Sequence, residues 1–123
     1  MTPIPAKRKK SPMGVREVEK LTFPQHRRFI RAHGCIVPGC KGGPIEAAHV
    51  RAGLPAGEQA GIATKPHDCF TVPLCRTHHS QQHGLGEASF ERLYNLRLLD
   101  TALALARIST CEDVQIKAKG IQP

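Results

Sequence analysis

The chain of 123 residues is long enough for one small domain with tails, and its 4% aromatic content, absence of Trp, 11 Gly and 10 Pro leave a slight core that needs a staple. No apolar run approaches the roughly 20 residues of a membrane span, no signal peptide is readable, and the odd count of five Cys speaks against a disulfide framework. Metal binding in a reducing cytosol is therefore expected. The whole net charge of +8 lies in residues 1–51, which hold eleven basic and three acidic side chains. That asymmetry points to a polyanionic partner, most often nucleic acid, ahead of a merely solvated basic tail.

Residues 1–22, with the Lys7-Arg8-Lys9-Lys10 run and three Pro, read as a basic and disordered N-terminal tail. Pro24 suits the first turn of a short helix that carries Arg27, Arg28 and Arg31 and stops before Gly34. A tight Gly- and Pro-rich turn then runs from Cys35 to Cys40, with Lys41 directly after it. Residues 45–50 read as a short strand ending in His49-Val50, and 51–68 as a long Gly-rich loop, which in so small a domain is functional or mobile. A second strand follows over 70–74, with Pro73 as an edge or closing position.

Residues 76–84 predict one or two helical turns stopped by Gly84-Leu85-Gly86. Phe90, Leu93, Leu96, Leu99 and Leu103 recur near the 3.6-residue period and predict one longer helix over 88–108. Residues 109–123 carry no firm signal and read as a C-terminal tail, leaving 23–108 as the folded unit.

Two constellations could hold metal. Cys35-x4-Cys40 and Cys75-x2-His78 supply two ligand pairs on separate turns, as a tetrahedral structural Zn2+ site requires. The competing reading is a set of small buried residues or unpaired thiols. His79-x3-His83 would place two imidazoles on one helix face, where they could share a cation or simply be solvated. Because neighbouring helical residues point about 100° apart, His78 and His79 should serve different sites. His49, at a strand end, could take a proton from water.

In order along the chain, Cys35…Cys40, Ala48-His49-Val50-Arg51, Lys65-Pro66-His67-Asp68, Cys75-Arg76-Thr77-His78-His79 and His83 resemble the HNH (ββα-metal, or His-Me finger) endonucleases. The similarity is closest to small prophage-encoded and Ref-like phage members, and it covers about residues 23–95. It implies an α+β fold: a small zinc-stapled ββα-metal domain with a short N-terminal helix and a longer C-terminal one. It implies His49 as the general base, with Asp68 at the middle position that orients the base or assists the metal. His79 and His83 would hold one catalytic divalent cation, whether Mg2+, Mn2+, Ni2+ or Zn2+, and Cys35, Cys40, Cys75 and His78 the structural zinc.

The implied reaction is phosphodiester hydrolysis in DNA, leaving 5′-phosphate and 3′-hydroxyl ends. Arg27, Arg28, Arg31, Lys41 and Arg51 are then the candidate nucleic-acid contacts, and a protein partner in phage replication or recombination is a further implication. One departure stands out. Many members carry Asp or His just before the base, whereas here that position is Ala48. Asp68, His67 or water would then complete the cation's shell, or the chain would be a non-catalytic zinc-stabilised nucleic-acid-binding module.

Overall fold

The computed structural model describes residues 22–59 and 65–121. The Lys7–Lys10 run and almost all of the expected N-terminal tail lie outside the described residues, as does the middle of the Gly-rich loop.

Helix α1, Pro24–Arg31, opens with Pro in its first turn, where the missing N–H costs nothing. It buries His26 and Ile30, one turn apart, and turns Arg28 and Arg31 outward. Strands β1, Ile45–His49, and β2, Thr71–Cys75, form a two-stranded antiparallel sheet in which Ile45 faces Cys75 and His49 faces Thr71. Every residue of β2 is buried. The strand can be apolar on both faces because α1 packs against the sheet on one part of it, while the helices that follow cover the rest.

Helix α2, Arg76–Leu85, begins at the residue after β2 without a connecting loop. Cys75 is both the last strand residue and the helix N-cap, its sulfur accepting the His78 backbone N–H at 3.4 Å. Gly86 (φ 85°) ends α2 and starts α3, Glu87–Tyr94. Two further helices, α4 (Leu98–Arg107) and α5 (Glu112–Lys119), pack on each other, and α4 also lies against β2. Phe70, Val72, Leu74, Phe90, Leu98, Ala102, Leu103, Ala106 and Val114 form one core.

The two strands, the short first helix and the helix after β2 fall where the sequence places them, within a residue or two. The single helix expected over 88–108 does not form. Asn95 adopts a left-handed conformation (φ 56°) and ends α3, a geometry that short polar side chains tolerate better than most. The break shifts the phase of the apolar positions. Leu93 is 58% exposed, and Leu98, Ala102 and Ala106 take the buried places. Glu91 bridges the break by accepting the Leu98 N–H at 2.6 Å.

The expected C-terminal tail is likewise replaced by α5. Its Val114 and Ala118 are buried against the core, and Ser109, also buried, hydrogen-bonds His26 at 2.7 Å. The folded unit therefore runs past residue 108. Among the described residues no helix is long and apolar enough to cross a membrane.

Candidate functional site

The turn between α1 and β1 is docked on β2 by a hydrogen bond from Ile36 N to Pro73 O, 3.1 Å, and closed by Cys40 N to Val37 O, 3.1 Å. This sets Cys35 and Cys40 opposite the β2–α2 junction that carries Cys75 and His78. The four ligand atoms all lie within 4.8 Å of one another. Cys40 Sγ and Cys75 Sγ are 3.8 Å apart, and His78 Nδ1 is 3.5 Å from Cys35 Sγ and 3.2 Å from Cys75 Sγ. Tetrahedral zinc, with Zn–S near 2.3 Å and Zn–N near 2.0 Å, spans edges of about 3.8 Å between sulfurs and about 3.5 Å from sulfur to nitrogen. The cluster fits that ion and could hold a structural metal such as zinc.

The thiols differ. Burial pushes Cys35 up, whereas the His78 N–H at its sulfur draws Cys75 below its ordinary range, as expected for a thiol at a helix N-terminus. Cys69 and Cys111 stand outside the cluster and are buried. Burial raises the Cys69 thiol to about 12, so it is an inert core residue.

His49 ends β1 beside the turn 67–70, which is held by Phe70 N to His67 O at 3.0 Å and Thr71 Oγ1 to Asp68 O at 2.7 Å. That turn directs Asp68 inward, to 2.9 Å from His49 Nε2 through Oδ1. The other carboxylate oxygen accepts the Phe23 backbone N–H at 2.8 Å and faces Arg27 Nε at 3.5 Å. Burial alone would raise the Asp68 pKa, but the His49 and Phe23 hydrogen bonds and the Arg27 charge hold it below the usual carboxylate range. Asp68 is thus an acceptor only, which makes His49 Nε2 the donor of this hydrogen bond; in the neutral imidazole the lone pair is then on Nδ1.

His79 and His83 lie one turn apart on α2 with ring centroids 5.1 Å apart. Two imidazoles on one ion, each with a metal–nitrogen bond near 2.0–2.1 Å, have centroids roughly 5 Å apart. The adjacent His78 belongs to the cysteine cluster and His79 does not, as the helix geometry requires. No second group of three or more Cys, His, Asp or Glu donors comes together among the described residues. His67, the other residue offered for the cation's shell, accepts the Cys69 N–H at 2.9 Å through Nδ1.

Three polar side chains around these histidines escape a motif-based reading. Glu46 Oε1 is 2.7 Å from His79 Nδ1, and its Oε2 is 3.2 Å from Arg76 Nε. Gln82, buried between His79 and His83 in sequence, donates from Nε2 to the His49 carbonyl at 3.2 Å and ties α2 to the strand end. Glu87 accepts the backbone N–H groups of Arg51 (2.8 Å) and Ala52 (3.1 Å), fixing the chain as it leaves β1. For Glu46, its place as the lone acidic residue of a short strand was the available signal. The other two contacts join residues more than thirty positions apart and leave no local trace.

Among the basic candidates, Arg28, Arg31, Lys41 and Arg51 are exposed, while the Arg27 side chain is one-third exposed (34%) and faces Asp68. Arg27 therefore belongs to the His49–Asp68 arrangement as well as to the basic surface.

Fold and site together define a small α+β domain built on a strand–strand–helix unit with a Cys3His cluster. The chain belongs to the DUF968 family, described as proteins of unknown function, whose profile matches residues 10–107. It is also 33% identical over 87 residues to the uncharacterized protein YdfU of Escherichia coli (strain K12). That match takes in 66% of this chain but 23% of the relative, so the chain spans only a small part of that protein's length. No solved structure matches.

Proposed function

We propose that this domain is a metal-dependent endonuclease of the HNH type that hydrolyses phosphodiester bonds in DNA. The observation that carries the reading is the His49–Asp68 contact at 2.9 Å, set on the same strand–strand–helix unit as His79 and His83. A histidine whose Nε2–H is held by a buried carboxylate presents a basic Nδ1 in one orientation. In the reaction, Nδ1 takes a proton from water as the water oxygen attacks phosphorus. The bond from phosphorus to the leaving 3′ oxygen breaks, that oxygen takes a proton from solvent to become the 3′-hydroxyl, and Asp68 stabilises the imidazolium that forms.

His79 and His83 would hold the divalent cation, which supplies charge stabilisation for the phosphate and its leaving oxygen. The structural zinc would be held by Cys35, Cys40, Cys75 and His78. Arg28, Arg31, Lys41 and Arg51 would bind backbone phosphates with little regard to sequence. A bacterial cytoplasm and a phage replication or recombination partner fit this reading.

One observation favours a second reading. Ala48, buried at 0% exposure, offers no donor beside His49, and the histidine pair alone is a sparse cation site. A zinc-stabilised module that binds nucleic acid without cutting it would share every other feature. The deciding experiment is cleavage of supercoiled plasmid by zinc-loaded protein across Mg2+, Mn2+, Ni2+ and Zn2+, beside His49→Ala. Metal-dependent nicking lost in the variant supports the nuclease. DNA binding without nicking in any cation supports the module.

A further inference from the structure

Glu46 has no task in the mechanism above, yet the strand register and the helix start combine to place it against His79. Cys75 ends β2 opposite Ile45, and α2 begins at the next residue, so its first turn carries His79 back to the neighbouring strand position. Glu46 Oε1 then lies 2.7 Å from His79 Nδ1, and Arg76 Nε fixes the second oxygen at 3.2 Å. Two donors sharing one ion sit about 3 Å apart or more, so the shorter separation is that of a hydrogen bond. An ionised carboxylate only accepts, and the proton between the two atoms belongs to Nδ1.

We propose that Glu46 is a positioning residue that holds His79 as the Nδ1–H tautomer and turns its Nε2 lone pair toward the cation shared with His83. A carboxylate behind a ligating imidazole fixes the ring and raises its basicity, and loss of such a partner commonly costs 10–100-fold in metal affinity. The inference rests on the cation role given to His79 and His83 above, and it extends that role to a residue outside the resemblance to HNH enzymes.

The test uses the full chain loaded with one zinc, comparing wild type with Glu46→Ala, Glu46→Gln and His79→Ala. Long-range 1H–15N NMR at neutral pH reads the His79 tautomer before any second cation is added. Calorimetry with Ni2+, a metal suited to imidazole, then reads affinity. Wild-type His79 should be protonated on Nδ1. Glu46→Ala should lose that preference and bind Ni2+ about 10–100-fold more weakly. Glu46→Gln, which keeps an acceptor oxygen, should keep the tautomer and recover part of the affinity.

A wild-type Nε2–H tautomer would overturn the proposal. So would Ni2+ binding that disappears in His79→Ala but is untouched in Glu46→Ala, and that result would leave the cation site standing. Wild-type protein that binds no Ni2+ would remove the cation site itself, and any role of Glu46 toward a cation with it. Retained zinc and an unchanged melting temperature show that each variant is folded.

Discussion

His49 Nε2 and Asp68 Oδ1 lie 2.9 Å apart, although the long Gly-rich loop separates the two residues in the chain. Asp68 also receives the Phe23 N–H at the start of α1, so one buried carboxylate links the N-terminal helix to the candidate base. The two partners should respond differently to mutation. His49→Ala should abolish plasmid nicking while the chain stays folded, at a modest cost in melting temperature because Asp68 Oδ1 loses its partner. Asp68→Ala should weaken nicking and also destabilise the fold by about 1–3 kcal/mol, because the Phe23 amide loses its acceptor. Comparing nicking rates with thermal melts followed by circular dichroism separates the two effects.

The cysteine cluster should hold one zinc per chain. Zinc binding is worth about 10–16 kcal/mol in small finger peptides, which is comparable with or larger than the whole stability of a small domain. Cys75→Ala or strong chelation should therefore abolish cooperative unfolding. Cys69→Ala should retain full zinc, as the sulfur is buried in the core outside the cluster. Elemental analysis of the purified variants is the direct check.

His26 should make the fold acid-sensitive. Burial lowers its pKa to about 4 from an ordinary 6.5, the nearby Asp68 charge opposing and His67 reinforcing the shift. Between those two values the unfolded chain binds more protons than the folded one, so stability rises with pH across that window. The contribution is complete above about pH 6.5 and is lost as the pH falls toward 4, an effect of about 3 kcal/mol. His26→Gln should flatten the slope. Denaturant titrations at several pH values check this, and because the zinc ligands titrate in both proteins, the difference between the slopes isolates His26.

Ser109 should matter more than a tail residue would. Its hydroxyl pairs with His26 Nδ1 at 2.7 Å and also accepts the Cys111 N–H at 2.9 Å. Ser109→Ala should cost about 1–3 kcal/mol through the buried groups it orphans. Truncation after residue 108 should cost more, since it also removes the buried Val114 and Ala118. Chemical denaturation of the two variants ranks them.

DNA affinity should fall steeply with salt if the exposed arginines contact phosphates. Replacing Arg28 and Arg31 together with Ala should shallow the slope of log affinity against log salt by about two. Fluorescence anisotropy with a labelled duplex measures it, and a flat profile in the wild type would count against backbone binding.

Much of this arrangement was legible in the sequence because it is local or spaced by a motif. Pro24 marks a helix start, Cys35-x4-Cys40 and Cys75-x2-His78 mark two paired turns, and adjacency alone assigns His78 and His79 to separate sites. The helix break at Asn95 was not legible, since the leucine period runs through it without interruption and only packing reveals the change of phase. Helix α5 was missed for a different reason. Its apolar residues Val114, Ile116 and Ala118 alternate rather than follow a helical period. Its charges are more informative, with Glu112 and Asp113 in the first turn and Lys117 in the last, favourable to the helix dipole. The Glu46–His79 and Gln82–His49 contacts depend on how α2 lies over the sheet, which no short window encodes.

The direct passage from β2 into α2 also bears on length variation. A single residue inserted between Cys75 and His79 would rotate everything beyond it by about 100° and exchange the partners available to His78 and His79. A deletion would do the same in the opposite sense. The segment from Thr71 to His83 should therefore reject any insertion or deletion, even an alanine. The stretch between Gly53 and Lys65 supplies none of the candidate site residues and should absorb several added residues before His49 and Asp68 lose each other.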